Sequence, residues 1–133
     1  MKLIFRNILI CIILAICNIN AIANEENDSS SVLFDELIRQ YNESLPNEPF
    51  VALEIAAQAK QIAEESKDSS KIALAYQNIG RGYYKTKVYY LAMEAQFNAY
   101  EIFAQKNEVD NMALCQIDIA QTYFAQEVYE LSE

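Results

Sequence analysis

Residues 73–108 read ALAYQNIGRGYYKTKVYYLAMEAQFNAYEIFAQKNE. Apolar side chains recur here at three and four spacing, first through Ile72, Ala75, Tyr76, Ile79 and Tyr83, then through Leu91, Met93, Ala95, Ala99, Ile102 and Phe103. That period belongs to helices that bury one face. Gly80 stands inside the first pattern, where glycine costs a helix about 1 kcal/mol against alanine. A glycine at such a place lets another helix come close.

The same pattern extends in both directions. Upstream, Leu33, Phe34, Leu37, Ile38 and Tyr41 predict a helix over 32–44, which Pro46 ends or follows. Asn47 or Glu48 can cap the next helix, with Pro49 in its first turn. That helix carries Phe50, Leu53, Ala56, Ala59 and Ile62 and ends near Lys67; Asp68-Ser69-Ser70 forms a turn and a cap. Downstream, 107–111 breaks the pattern before a fifth helix with Met112, Leu114, Ile117, Ala120, Tyr123 and Phe124. After residue 31 no β-branched run alternates with polar residues, so no strand is expected.

These helices repeat. Ile79-Gly80-x-x-Tyr83 returns as Ile119-Ala120-x-x-Tyr123, Ala52 and Ala59 as Ala92 and Ala99, and Tyr89 as Tyr129, each forty residues later. A fixed period of this size predicts stacked helical hairpins. Alanine and glycine fall where helices cross most closely, and the tyrosines fill wider gaps beside them.

This pattern resembles the tetratricopeptide repeat. Tyr76, Ile79, Gly80, Tyr83, Tyr89, Ala92 and Ala99 fall on that motif. Gln96 departs from it, standing where an aromatic is preferred, and Tyr41 is two residues out of register. The 40-residue period is similar to the longer-helix variety common in bacterial sensors and regulators. The resemblance covers residues 32–133 and implies an all-α, right-handed superhelical array of antiparallel hairpins, about five helices in all. It implies repeat packing by Ala52, Ala59, Tyr76, Ile79, Gly80, Tyr83, Tyr89, Ala92, Ala99, Ala120 and Tyr123. It also implies a concave groove showing Gln77, Arg81, Tyr84 and Lys85 on the third helix, and Gln121 and Phe124 on the fifth. Arg81 and Lys85 share one face and could hold a peptide carboxylate, or they could be solvated residues balancing nearby Glu. Tyr129-Glu-Leu-Ser132 matches the start of another helix, so the repeat domain is expected to be incomplete at its C-terminus, leaving Ile117, Ala120 and Phe124 uncovered.

The N-terminus is of another kind. Lys2 and Arg6 precede an unbroken apolar run from Ile8 to Cys17; Asn18 and Asn20 end it, and Ala21-Ile22-Ala23 offers a small-x-small cleavage site. Residues 1–23 therefore read as a signal peptide cut after Ala23. A membrane-spanning helix needs about 20 apolar residues, more than this run has. A lipoprotein reading through Cys17 lacks the small residue expected at Ile16. Residues 24–31 (NEENDSSS) read as a flexible leader.

The chain has 133 residues, a formal charge of -9 and no histidine. Removing residues 1–23 takes away Lys2 and Arg6, leaving 8 basic against 19 acidic residues and Cys115 as a lone, apolar-stripe thiol. Without histidine there is no Ser-His-Asp or Cys-His arrangement and no common metal site. The paired glutamates 25–26 and 64–65 diverge on a helix, and no calcium loop is present. The acidic balance argues against direct nucleic-acid binding. The sequence therefore predicts a protein or peptide partner, no cofactor, no metal and no enzyme activity. A membrane is involved only through a downstream segment or an uncut signal. The leading expectation is an exported binding scaffold. The resemblance implies that such a scaffold often serves as the input region of a longer protein, ahead of a membrane helix and an output such as a histidine kinase, a helix-turn-helix regulator or a cyclic-dinucleotide cyclase. A stand-alone periplasmic or secreted adaptor and an enzyme accessory or truncated gene remnant are the alternatives.

Overall fold

A computed structural model describes residues 2–132, with side chains from residue 8 onward except residue 27. The described residues form five α-helices and no strand: α1 (Lys2–Ser44), α2 (Pro49–Ser66), α3 (Ser69–Lys85), α4 (Tyr89–Gln105) and α5 (Val109–Ser132). The chain divides into two units, Met1–Val32 and Leu33–Glu133.

The first unit is helical throughout its described residues and solvent-facing from Ile8 to Ile22. By length and composition it is apolar enough to cross a membrane, a property it shares with signal sequences. Residues 24–31 correct one expectation. They are helical rather than an irregular leader, and the first helix does not begin at residue 32. Extending an existing helix adds one hydrogen bond for each residue fixed, whereas a new helix must be nucleated. Polar composition alone is a weak guide between two helical runs. The side chains of Lys2 and Arg6 lie outside the described set.

The second unit is the all-α repeat array. Helices pack in series, α2 on α3, α3 on α4 and α4 on α5, with a lesser contact between α3 and α5. Three identical turns set the geometry. Lys67, Lys87 and Asn107, twenty residues apart, adopt left-handed conformations with φ of 57°, 62° and 56°. After each, the N–H of Asp68, Val88 or Glu108 donates to the carbonyl of Ala63, Tyr83 or Phe103 at 3.2, 2.9 and 3.0 Å. This is the two-bond C-terminal cap in which a left-handed residue satisfies carbonyls that the helix leaves open. Starts differ more. Asp68 Oδ1 accepts from the Lys71 N–H at 3.1 Å, whereas Glu48 makes no side-chain cap and Pro49 opens α2 instead.

The core is built from small residues at the crossings. Ala52, Ala56, Ala59, Ala63, Ala73, Ala75, Ala92 and Ala99 are all fully buried. Phe34 and Leu37 of α1 pack with Ala59, Ala63 and Ala75; Tyr41 packs with Ala52 and Ala56; Phe103 packs with Ala73, Ala99 and Cys115. Tyr76, Ile79, Tyr83 and Tyr89 are half-buried beside them. A Cβ on Gly80 would lie 2.6 Å from Gln96 Cγ and 3.1 Å from the Ala92 carbonyl oxygen, so glycine is what allows α4 its approach. Gln96 is itself buried, because its chain lies against that glycine. Gly82 does the same for α2, where Leu53 Cδ2 would meet a Cβ at 2.7 Å.

The fifth helix departs from the expected register. A turn twenty residues after Asn107 would fall at Glu127, yet α5 continues to Ser132, and Tyr129 lies within it rather than opening another helix. Ala120 and Tyr123, expected at a packed crossing, are exposed because no described helix covers that face.

Candidate functional site

Two surfaces of the array are candidate sites. The first is polar and lies where α3 meets α5. Gln77, expected on an open groove, is only 1% exposed. Its Nε2 donates to Asp118 Oδ2 at 2.9 Å, and Arg81 Nε donates to the same oxygen at 2.8 Å. Asp118 thus holds both neighbours, with its side chain 10% exposed and that of Arg81 37% exposed. The pairing corrects the expectation that Arg81 is free for a peptide carboxylate. An internal carboxylate already occupies its Nε, and it is no merely solvated residue either. Nearby, the Tyr41 hydroxyl donates to the Asn78 carbonyl at 2.8 Å, and burial pushes that phenol's pKa up. Asn78 Nδ2 and Gln96 Oε1 are buried without a hydrogen-bond partner.

The remaining expected groove residues are not brought to one cluster. Lys85 is exposed at the end of α3. Tyr84 is half-buried, its ring 6.1 Å from that of Tyr89, which in turn meets Tyr129 at 6.2 Å. Gln121 is exposed, and Phe124 belongs to the second surface.

That second surface is an open apolar cavity of about 570 Å³ between α4 and α5. Met93, Phe97 and Tyr100 form one wall; Ile119, Tyr123 and Phe124 form the other. Phe97, Tyr123 and Phe124 are 47%, 56% and 68% exposed. Scattered exposed apolar residues are ordinary; here three exposed aromatics converge on one concavity. Ala120 lies on the floor of this cavity, forty residues after Gly80. The face is therefore the repeat equivalent of the one on which α3 receives α4.

Among the described residues no group of three His, Cys, Asp or Glu could hold a metal ion. Cys115 is fully buried, and burial, with Asp118 adding to it, pushes its thiol up to about 11. Such a thiol stays protonated and is a poor nucleophile. Sequence reasoning missed Asp118 as the partner of Gln77 and Arg81, and missed the α4 wall of the cavity. The three-and-four spacing of Phe97 with Met93 and Tyr100 could have marked that wall.

Comparison with known proteins gave no match among protein-family models, curated proteins or solved structures.

Proposed function

We propose that this chain is a protein-binding helical scaffold of the bacterial cell envelope, similar to a tetratricopeptide array, and not an enzyme. The supporting observation is the aromatic-lined cavity between α4 and α5, open on a helix whose repeat counterpart is covered. The apolar N-terminal helix and the Ala21-Ile22-Ala23 sequence support export with cleavage after Ala23. The same surface serves either the input region of a longer signalling protein or a free periplasmic or secreted adaptor. The helical state of residues 24–31 favours a second reading, in which the apolar helix is retained as an anchor.

The test is expression in a bacterial host followed by recovery from the envelope fraction after chemical crosslinking. The expected first residue is Asn24, and Phe124→Asp should lose crosslinked products that the unaltered chain gives. A cytoplasmic product starting at Met1, with crosslinks indifferent to Phe124, would contradict the reading. An envelope product starting at Met1 would select the anchored form.

A further inference from the structure

The cavity between α4 and α5 has a charge pattern that the rest of the array lacks. Helix α4 carries Glu94 and Glu101, and α5 carries Asp110, Asp118, Glu127 and Glu130, while neither carries a single Lys or Arg. The eight cations after residue 23 all lie on α1, α2, α3 or the turns. Asp118 is committed to Arg81. Glu94 and Glu101 are three and four residues from Phe97, on its own face of α4, and both are exposed. Glu127 lines the cavity one turn beyond Tyr123 and is exposed. None of these three glutamates is paired with a cation among the described residues. The result is an apolar trough with acid on both banks.

This pattern decides between occupants. A second copy presenting the same face would set these glutamates against their own counterparts, with no cation on α4 or α5 to offset them. An anionic membrane surface would be repelled for the same reason. An extended peptide would not use the shape: the equivalent face of α3 is filled by a helix, α4, which seats through Ala92, Gln96 and Ala99. We infer that the α4–α5 trough docks an amphipathic helix with a small or aliphatic face flanked by Lys and Arg. Phe97, Tyr123 and Phe124 anchor its apolar face, and Glu94, Glu101 and Glu127 meet its flanking cations. This inference rests on the chain being a binding scaffold and adds the partner's chemistry to it.

The test uses the full chain in neutral maltoside micelles and two fluorescent peptides of about 18 residues, enough for five turns. One has a Leu/Ala face flanked by Lys; the other has Glu in place of every Lys. The Lys peptide is expected to bind at least about tenfold more tightly than the Glu peptide, a difference that added salt erodes. The E94K/E101K/E127K variant alters only exposed positions and should reverse the preference, with unchanged circular dichroism. Equal binding of both peptides to the unaltered chain would overturn the charge assignment while leaving the scaffold reading intact. Lys-peptide binding that survives in the triple variant would place binding elsewhere and overturn the site. Failure of both peptides, with the chain self-associating in light scattering, would make a second copy the occupant. Failure of both with a monomeric chain would overturn the site and the scaffold reading together.

Discussion

Gly80 on α3 and Ala120 on α5 occupy the same place in successive repeats, yet their surroundings are opposite. Gly80 lies under α4, so close that a methyl group has no room. Ala120 lies on the floor of an open cavity. One face has already been used to build the fold, and the other has the same apolar character without a helix upon it. Each crossing buries the face left by the preceding helix, and the α5 face is one that no described helix takes.

The widest separation between the two regions should come from leucine at the two positions. Gly80→Leu must displace Gln96 and the α4 backbone, and is expected to cost about 3 kcal/mol or more. Ala120→Leu adds a side chain to open space, and should change stability by less than about 0.5 kcal/mol. Urea denaturation followed by circular dichroism checks both. Comparable losses in the two variants would mean that α5 is packed in solution as α3 is.

A smaller loss should follow at the contact that ties α3 to α5. Asp118→Ala leaves the buried Gln77 amide and the Arg81 guanidinium without their shared acceptor, an expected cost of about 2 kcal/mol. Asp118→Asn keeps an acceptor and should recover part of it. If alanine and asparagine cost equally little, Asp118 does not join the two helices.

A further effect concerns pH. The Cys115 thiol is held at about 11 against a usual 9.0, so the folded chain keeps a proton that the unfolded chain releases first. Stability from this group is constant below pH 9 and falls as pH rises from about 9 to about 11. Cys115→Ala should flatten the melting-temperature profile in that window relative to the unaltered chain. An unchanged slope would mean that the α5 thiol reaches water.

What the sequence disclosed follows from periodicity. Gly80, Ala92 and Ala99 are readable because a close crossing admits only small residues, and the repeat places them at regular intervals. The three left-handed turns were readable only as breaks in pattern, because Lys67 and Lys87 are not residues that advertise that conformation. Asp118 was not legible as the partner of Arg81, because a pairing between helices 37 residues apart leaves no local signature. The register that placed Gln77 on an open groove failed for the same reason. The uncovered face of Ile117, Ala120 and Phe124 was anticipated, but its second wall on α4 and its acidic banks emerge only when α4 and α5 lie side by side. The unbroken course of α5 through Tyr129 shows that a motif match does not by itself start a helix.

The most direct measurement is the map of amide shifts in the isotope-labelled full chain, in neutral micelles, as the Lys-flanked peptide is added. The largest shifts should fall at Met93, Phe97, Ile119, Tyr123, Phe124 and Glu127, with Gln77 and Arg81 unmoved. Shifts centred on Gln77, Arg81 and Lys85 instead would place the partner on the α3 face and contradict an open α4–α5 trough as the binding surface.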